Sequence, residues 1–108
     1  DHPFTLRLEA TFQDKDCLYM LLEIVTGGEL FDLLADRAPD GVLGAKDAAF
    51  YTACVVAAFN HFWDKDVIYR DLKPENLMLD KYGYIKVVDY GFAKILNGKM
   101  VSLRYFVV

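Results

Sequence analysis

The stretch Tyr69-Arg70-Asp71-Leu72-Lys73-Pro74-Glu75-Asn76 decides how this sequence is interpreted, together with Asp89-Tyr90-Gly91 a short distance along the chain. Its Asp, Lys and Asn side chains cannot share one regular face, because Pro74 interrupts both helices and central strands. The stretch therefore predicts a surface loop that gathers polar groups at one point, which is a common setting for a functional site.

A short antiparallel hairpin is predicted directly after this loop. Leu77-Met78-Leu79 and Tyr84-Ile85-Lys86-Val87-Val88 have the residue types of strands, and Asp80-Lys81-Tyr82-Gly83 supply the turn between them. An antiparallel return brings the end of the second strand beside the start of the first. Asn76 and Asp89, which flank the two strands, are therefore expected to be neighbours in space.

Asn76 and Asp89 together indicate a site for a divalent cation. An amide oxygen and a carboxylate are hard ligands of the kind that Mg²⁺ prefers, and Mg²⁺ in such sites commonly holds the phosphate groups of a substrate. We expect Asp71, in the loop beside them, to be left free to act as a base.

The pattern Arg-Asp-x-Lys-Pro-x-Asn followed by Asp-x-Gly resembles the catalytic loop and metal-binding motif of eukaryotic protein kinases. Lys73-Pro74-Glu75 is similar to the serine/threonine branch of that family. Tyr69, in place of the usual His, and Gly91-Phe92-Ala93-Lys94 resemble the AGC group. Within this group, Leu18-Tyr19-Met20 and Gly27-Gly28-Glu29-Leu30-Phe31 are most similar to the kinases that cGMP or cAMP activates.

The resemblance implies a catalytic role for three residues of the loop. Asp71 would accept or orient the proton of a substrate Ser or Thr hydroxyl, and Lys73 would neutralise the phosphoryl group that ATP transfers. Asn76 would hold the magnesium ions together with Asp89. These four side chains are the expected centre of the chemistry.

The same resemblance leads to predictions about three further positions near the loop. Arg70 would pair with a phosphorylated residue of the activation loop and so regulate the site. Glu75 would contact the substrate or the ribose. Tyr90 stands where the family usually has Phe, so its added hydroxyl needs a polar partner.

The segment Glu23-Ile24-Val25-Thr26-Gly27-Gly28-Glu29 resembles the hinge between the two lobes of a kinase. Its two glycines would let the chain swing and approach a ligand closely. The backbone of Glu23 and Val25 would hydrogen-bond the adenine edge, and Glu29 would reach the ribose hydroxyls. Met78 would form part of the floor under the adenine.

Two strands and a long helix are predicted upstream of the loop. Apolar residues alternate from Leu6 to Phe12, which indicates a half-buried strand, and the run Cys17–Leu22 indicates a more deeply buried return strand. Residues 46–62 are apolar nearly all round and predict a buried helix, with Val55 and Val56 in the core. Cys17 and Cys54 lack metal-ligand spacing and are expected to be small buried hydrophobic residues.

The resemblance implies an α+β chain with part of a protein-kinase-like fold: the end of the amino-terminal lobe sheet, the hinge and the first part of the helical carboxyl-terminal lobe. By resemblance, residues 1–25 contain the amino-terminal hairpin and hinge. Residues 26–99 contain the carboxyl-terminal lobe with the catalytic loop, and residues 100–108 form a tail that departs from the family.

Composition excludes some partners and settings. A formal net charge of −4 over 108 residues argues against a nucleic-acid partner. The longest uncharged stretch is too short and too polar for a membrane-spanning helix. Two cysteines without metal-ligand or redox-motif spacing suit a reducing, cytoplasmic location.

The function implied by the resemblance is ATP-dependent phosphorylation of Ser or Thr in protein substrates, with ATP and Mg²⁺ as cofactors. A cyclic-nucleotide-binding regulatory domain or subunit would be a further partner. The sequence contains no Gly-x-Gly-x-x-Gly loop and no Val-Ala-x-Lys strand, so we expect weak or no activity from this chain alone. Two alternatives stay open: a nucleotide-binding, pseudokinase-like interaction module, and an incomplete gene product without activity.

Overall fold

Antiparallel strand pairs and two helices make up the fold in the computed structural model, which describes residues 1–37, 40 and 42–96. In chain order the elements are β1 (Leu8–Gln13), β2 (Leu18–Leu22), α1 (Leu30–Arg37), α2 (Ala45–Asp64), β3 (Val67–Ile68), a 3₁₀ turn (Pro74–Asn76), β4 (Leu77–Leu79), β5 (Ile85–Val87) and β6 (Lys94–Ile95). The strands pair as β1 with β2, β3 with β6 and β4 with β5. The predicted tail lies outside the described residues. The described helices include none long and apolar enough to cross a membrane.

The predicted hairpin of β1 and β2 is confirmed. The strands run antiparallel from the pair Leu8 and Leu22 to the pair Gln13 and Leu18. Asp14 makes the turn between them, because its carboxylate accepts the backbone N–H groups of the residues two and three positions later, both at 2.8 Å. Such bonds from Asp to its own downstream backbone are a common way to close a tight turn.

The β1–β2 hairpin is exposed on both faces, so the predictions of a half-buried strand and a more deeply buried partner are wrong. Leu18 and Met20 keep 68% and 64% of their surface exposed, and Cys17 is exposed as well. Apolar periodicity identifies a strand that could be covered, but burial also needs an element that packs on it. No other described helix or strand covers these faces.

Helix α2 is buried along one stripe only. Its buried residues are Cys54, Ala58 and Phe62, which are spaced four apart and therefore line one side of the helix. The burial predicted for Cys54 is confirmed. Val56 is 61% exposed, so its predicted core position is wrong, whereas Val55 packs at the edge of the core. The stripe lies against β3 and β5.

The core lies between the two helices and the β4–β5 hairpin. Ile85 and Val87 are completely buried, and Leu77 and Leu79 of the paired strand are nearly so. The segment before β1 also pairs with this hairpin: the Leu6 N–H donates to the Val87 carbonyl at 2.9 Å. The hairpin that precedes the predicted metal ligand is thus the best packed part of the fold.

Candidate active site

The loop is held at both of its ends by backbone hydrogen bonds. Upstream, β3 pairs antiparallel with β6, so Ile68 lies opposite Lys94. Downstream, the 3₁₀ turn closes when the Asn76 N–H donates to the Lys73 carbonyl at 3.0 Å. Pro74 suits the first position of that turn because it needs no N–H there. The loop therefore has a defined shape even though no long helix or strand contains it.

Asp71, Lys73 and Asn76 form one hydrogen-bonded cluster. The Asn76 side-chain N–H₂ donates to the Asp71 carboxylate at 2.7 Å and to its backbone carbonyl at 2.9 Å. The Lys73 ammonium lies 3.0 Å from the same carboxylate oxygen. Asn76 is only 6% exposed, so its amide is a fixed anchor for the more accessible Asp71. Asp71 thus has two hydrogen-bonding side-chain partners, and its role as a base stays a prediction.

The cluster keeps its acid and its base charged. The hydrogen bond from Lys73 lowers the pKa of Asp71, and the bond from Asn76 acts in the same direction against the opposing effect of burial. The hydrogen bond to Asp71 in turn raises the pKa of Lys73, with smaller help from the charges of Glu75 and Asp89. At neutral pH the site therefore presents a carboxylate and an ammonium side by side.

Asp89 follows β5 and reaches the same end of the hairpin as Asn76. The Val88 N–H donates to the Asn76 carbonyl at 3.0 Å, which extends the β4–β5 ladder by one step. Asp89 itself has φ of 57°, an uncommon value for a residue other than glycine. One of its carboxylate oxygens accepts the Gly91 N–H at 3.1 Å. The predicted proximity of the backbone at Asn76 and Asp89 is present.

The donor set at this end of the hairpin fits a magnesium ion. Both hydrogen bonds of the Asn76 amide nitrogen go to Asp71, which leaves the amide oxygen as the group that could bind a cation. In residues 1–37, 40 and 42–96, no three His, Cys, Asp or Glu side chains form a metal cage. Mg²⁺ suits such a sparse set because it is usually held by one or two protein oxygens plus phosphates and waters.

The hinge-like segment is fastened to β4. The Gly27 N–H donates to the Leu79 carbonyl at 2.7 Å, and the Leu79 N–H donates to the Gly28 carbonyl at 2.8 Å. A Cβ at Gly27 would lie 2.5 Å from the Leu79 carbonyl oxygen, and Gly28 has φ of +83°. The two glycines were predicted to let the backbone approach a ligand closely. At Gly27 the backbone instead approaches β4.

Three of the predicted nucleotide contacts, Glu23, Val25 and Glu29, lie in this segment, and Met78 lies on β4. The Glu23 N–H bonds the Arg7 carbonyl at 3.0 Å, but within the described residues the Glu23 carbonyl and the Val25 N–H have no backbone partner. Glu29 forms an isolated antiparallel bridge with Met78, which is partly buried. The hinge backbone thus has groups free to bind a ligand, and Met78 lies next to the residue predicted to contact the ribose.

The remaining predicted site residues lie at the surface of the loop. Arg70 is exposed and has φ of 69°, and its guanidinium donates to the Phe92 carbonyl at 2.7 Å. Glu75 is exposed in the 3₁₀ turn. These two side chains do not join the hydrogen bonds between Asp71, Lys73 and Asn76.

Two tyrosines support the site from behind. The Tyr90 hydroxyl donates to the Val87 carbonyl at 2.9 Å, which confirms that this hydroxyl needs a polar partner. The buried Tyr69 hydroxyl donates to the Val88 carbonyl, a bond that the sequence did not reveal. Burial raises the pKa of Tyr90 to about 12, and burial followed by the charges of Asp71 and Asp89 raises the pKa of Tyr69 further. Both hydroxyls therefore stay protonated and act as donors.

Sequence reasoning also missed the role of Lys86. Its ammonium lies 2.8 Å from the Glu23 carboxylate, with both side chains largely buried. The available signal was a lysine placed between two buried strand residues, Ile85 and Val87. Such a lysine needs a partner for its charge, because an unpaired charge is costly to bury.

Comparison with known proteins identifies the relatives of this chain. A family model described as protein kinase domain matches residues 1–107. The chain is 48% identical over 103 residues to a cGMP-dependent protein kinase of Eimeria tenella, covering 95% of the chain and 10% of that protein. It is 52% identical over 94 residues to the cGMP-dependent protein kinase isozyme 2 forms cD5/T2 of Drosophila melanogaster, covering 87% and 10%. It is 50% identical over 95 residues to cAMP-dependent protein kinase type 3 of Saccharomyces cerevisiae, covering 86% and 23%. The chain spans a small part of the length of each relative.

Proposed function

The chain belongs to the protein kinase family, and from that premise we propose that it is part of the catalytic domain of a protein serine/threonine kinase. In this proposal the domain transfers the terminal phosphoryl group of ATP to Ser or Thr in a protein substrate. Residues 1–25 contribute an amino-terminal hairpin and the hinge, and residues 26–99 contribute the lobe with the catalytic loop. The observation that carries the proposal is the hydrogen-bonded cluster of Asp71, Lys73 and Asn76.

Asp71 is proposed as the group that orients the substrate hydroxyl and takes its proton. Lys73 and Asn76 hold its carboxylate in one orientation, and their hydrogen bonds keep it ionised at neutral pH. A base works only if it lies within hydrogen-bond reach of the proton it takes, so a fixed carboxylate at the protein surface suits this role. Its partial exposure leaves room for a substrate side chain.

Lys73 is proposed to neutralise charge on the phosphoryl group during transfer. Its ammonium is already placed beside the base, so it can contact a phosphate oxygen without a large movement. Asn76 and Asp89 would hold magnesium through their side-chain oxygens. The chemistry that the ion would supply there is neutralisation of the negative charge of the ATP phosphates.

The hinge segment is proposed to bind the adenine of ATP. The free Glu23 carbonyl and Val25 N–H supply one acceptor and one donor for the adenine edge. Met78 would pack under the base, Glu29 would bind the ribose, and Glu75 would contact the substrate or the ribose. The bridge between Glu29 and Met78 supports a shared position for base and sugar.

Regulation and partners are proposed from the relatives. Arg70 is exposed beside the base and would bind a phosphorylated activation-loop residue. The relatives in Eimeria tenella and Drosophila melanogaster are named as cGMP-dependent kinases. We therefore infer that a cyclic-nucleotide-binding domain or subunit controls the whole protein, which we place in the cytoplasm.

The proposed function is tested first by nucleotide binding. Calorimetry with Mg-ATP is expected to give a dissociation constant at least about tenfold weaker for Asp89→Asn than for the unmodified chain, because a charged metal ligand is lost. Asp64→Asn makes the same chemical change at an exposed position at the end of α2 and should leave the constant unchanged. Equal binding by both variants would remove Asp89 from the metal site.

Phosphoryl transfer to a serine peptide separates the enzyme from a binding-only module. Asp71→Asn is expected to lower the transfer rate by about 10²-fold or more while changing the affinity for Mg-ATP little, since a base acts mainly in the transition state. Equal transfer rates for the unmodified chain and Asp71→Asn would contradict the role of Asp71 as the base. Magnesium-dependent binding with no transfer agrees both with the weak activity expected of this chain alone and with the nucleotide-binding interaction module.

A further inference from the structure

The carboxylate of Glu23 joins three parts of the chain at the start of the hinge. One of its oxygens accepts the Lys86 ammonium at 2.8 Å and the Arg7 backbone N–H at 2.7 Å. The Glu23 N–H donates back to the Arg7 carbonyl at 3.0 Å. The residue that offers its carbonyl to a ligand is thus held through both its side chain and its own N–H.

Lys86 lies on the strand whose neighbouring residues are the most completely buried of the core. It is the central residue of β5, and its neighbours Ile85 and Val87 are completely buried on the opposite face. Its ammonium also approaches the Thr5 carbonyl at 3.4 Å. Because the strand cannot shift without disturbing the core, the position of this ammonium is well defined.

The ion pair between Lys86 and Glu23 is largely buried but still partly accessible to solvent. The side chains of Lys86 and Glu23 are 13% and 20% exposed. Beside them lies a pocket of about 250 Å³, which Arg7 and His2 also line. Burial would raise the pKa of Glu23, but the hydrogen bond from Lys86, then the Arg7 N–H and the two positive charges, outweigh it and lower that pKa. Water in the pocket can partly solvate either group left alone.

We propose that Lys86 is a positioning residue for nucleotide binding: by holding the Glu23 carboxylate, it fixes the hinge backbone whose Glu23 carbonyl and Val25 N–H face the ligand. This inference rests on the proposed function, which places adenine at the hinge. Lys86 touches no reacting atom itself. Its effect passes through Glu23 to backbone groups two residues apart.

Amide hydrogen exchange tests the positioning role without any nucleotide. In Lys86→Gln, the Glu23 amide is expected to exchange about tenfold faster, which corresponds to a coupling of about 1.4 kcal/mol. Amides in the middle of α2, such as that of Ala58, should keep their rates if the fold is intact. Lys86→Arg keeps the charge and is expected to restore slow exchange at Glu23.

The matched control is Lys81→Gln, which removes the same charge from the turn of the same hairpin. Lys81 makes no salt bridge among the described residues and lies over the exposed Tyr82 ring. It should leave the Glu23 amide unchanged. Equal exchange at Glu23 in the two glutamine variants overturns the proposal, and so does faster exchange that is equally large in α2.

Affinity for Mg-ATP gives the functional readout. We expect the dissociation constant to rise about three- to tenfold in Lys86→Gln, to recover in Lys86→Arg and to stay unchanged in Lys81→Gln. Unchanged affinity in Lys86→Gln overturns the proposal. Absence of Mg-ATP binding by the unmodified chain contradicts the proposed function instead, and the exchange rates at Glu23 still decide whether Lys86 positions the hinge.

Discussion

A single amide, that of Asn76, decides the geometry of the candidate base. Asn76 is buried, and its side-chain N–H₂ donates to both the carboxylate and the backbone carbonyl of Asp71. Sequence reasoning assigned both residues to the site from their place in the loop and beside the predicted hairpin, but it could not foresee their contact, because loop side chains meet only after the backbone turns. Their roles in metal binding and proton transfer stay predictions.

The two tyrosine hydroxyls behind the site should differ in their contribution to stability. The Val87 carbonyl also accepts the Leu6 N–H, so it keeps a partner in Tyr90→Phe. The Tyr69 hydroxyl is the side-chain donor to the Val88 carbonyl, and Tyr69 is only 2% exposed. We expect Tyr69→Phe to lower the free energy of unfolding by about 1–3 kcal/mol, and Tyr90→Phe by less than about 1 kcal/mol.

Urea unfolding of both variants, with the unmodified chain alongside, measures this difference. The two substitutions are chemically identical, so each is the control for the other. Equal losses of stability would show that the hydroxyl of Tyr69 is not the main support of the backbone at Val88.

At the scale of elements, the hinge segment can contact β4 only because Gly27 has no side chain. A Cβ at Gly27 would lie 2.5 Å from the Leu79 carbonyl oxygen and 2.7 Å from that of Asp80. Both atoms belong to the backbone, so neither can move aside alone. Gly27→Ala is therefore expected to lower the free energy of unfolding by about 1–3 kcal/mol and to speed amide exchange at residue 27.

Gly44→Ala is the matched control for the added methyl group. Gly44 precedes α2, and no atom lies within 4 Å of the position that its Cβ would take. We expect a loss below about 1 kcal/mol, from the weaker helix N-cap that alanine provides. Thermal or urea unfolding that gives the same loss for the two variants would contradict the steric explanation for Gly27.

The element boundaries were largely predictable from local patterns. The β4–β5 hairpin, its turn and helix α2 fall where turn residues and apolar periodicity placed them. The link between Glu23 and Lys86 was not predictable, since nothing in the local sequence joins a hinge residue to a strand far along the chain. Pairing of that kind depends on the tertiary arrangement.

At the scale of the whole molecule, the family and the partial α+β fold are confirmed, but burial was overestimated. Predictions of a deeply buried β2 and a core position for Val56 assumed that each apolar face would find a cover. Periodicity gives the direction of an apolar face but not the identity of its partner. The overestimated burial is therefore found mainly in the β1–β2 hairpin and on the outer side of α2.

The exposed hairpin is expected to promote self-association of the isolated chain. Leu18 and Met20 are the most exposed large apolar residues of β2, and contiguous apolar surface of this kind drives association. We expect Leu18→Thr with Met20→Lys to lower the sedimentation-derived apparent mass at micromolar concentration while the far-ultraviolet circular dichroism stays unchanged.

The control for this pair changes a polar residue of the same hairpin. Gln13→Lys adds an equal charge at the end of β1 without removing apolar surface. It should leave the apparent mass near that of the unmodified chain. If Gln13→Lys reduces association as much as the double variant does, net charge and not apolar surface controls the behaviour.

Under the proposed function, the pairing of β3 with β6 would also lower the entropy cost of nucleotide binding. These two strands close the span from Val67 to Ile95 before any ligand arrives, and that span contains the loop, the β4–β5 hairpin and Asp89. A closed span has already lost much of its chain entropy on folding. A nucleotide that binds there has fewer backbone states left to freeze, so more of its contact energy appears as affinity.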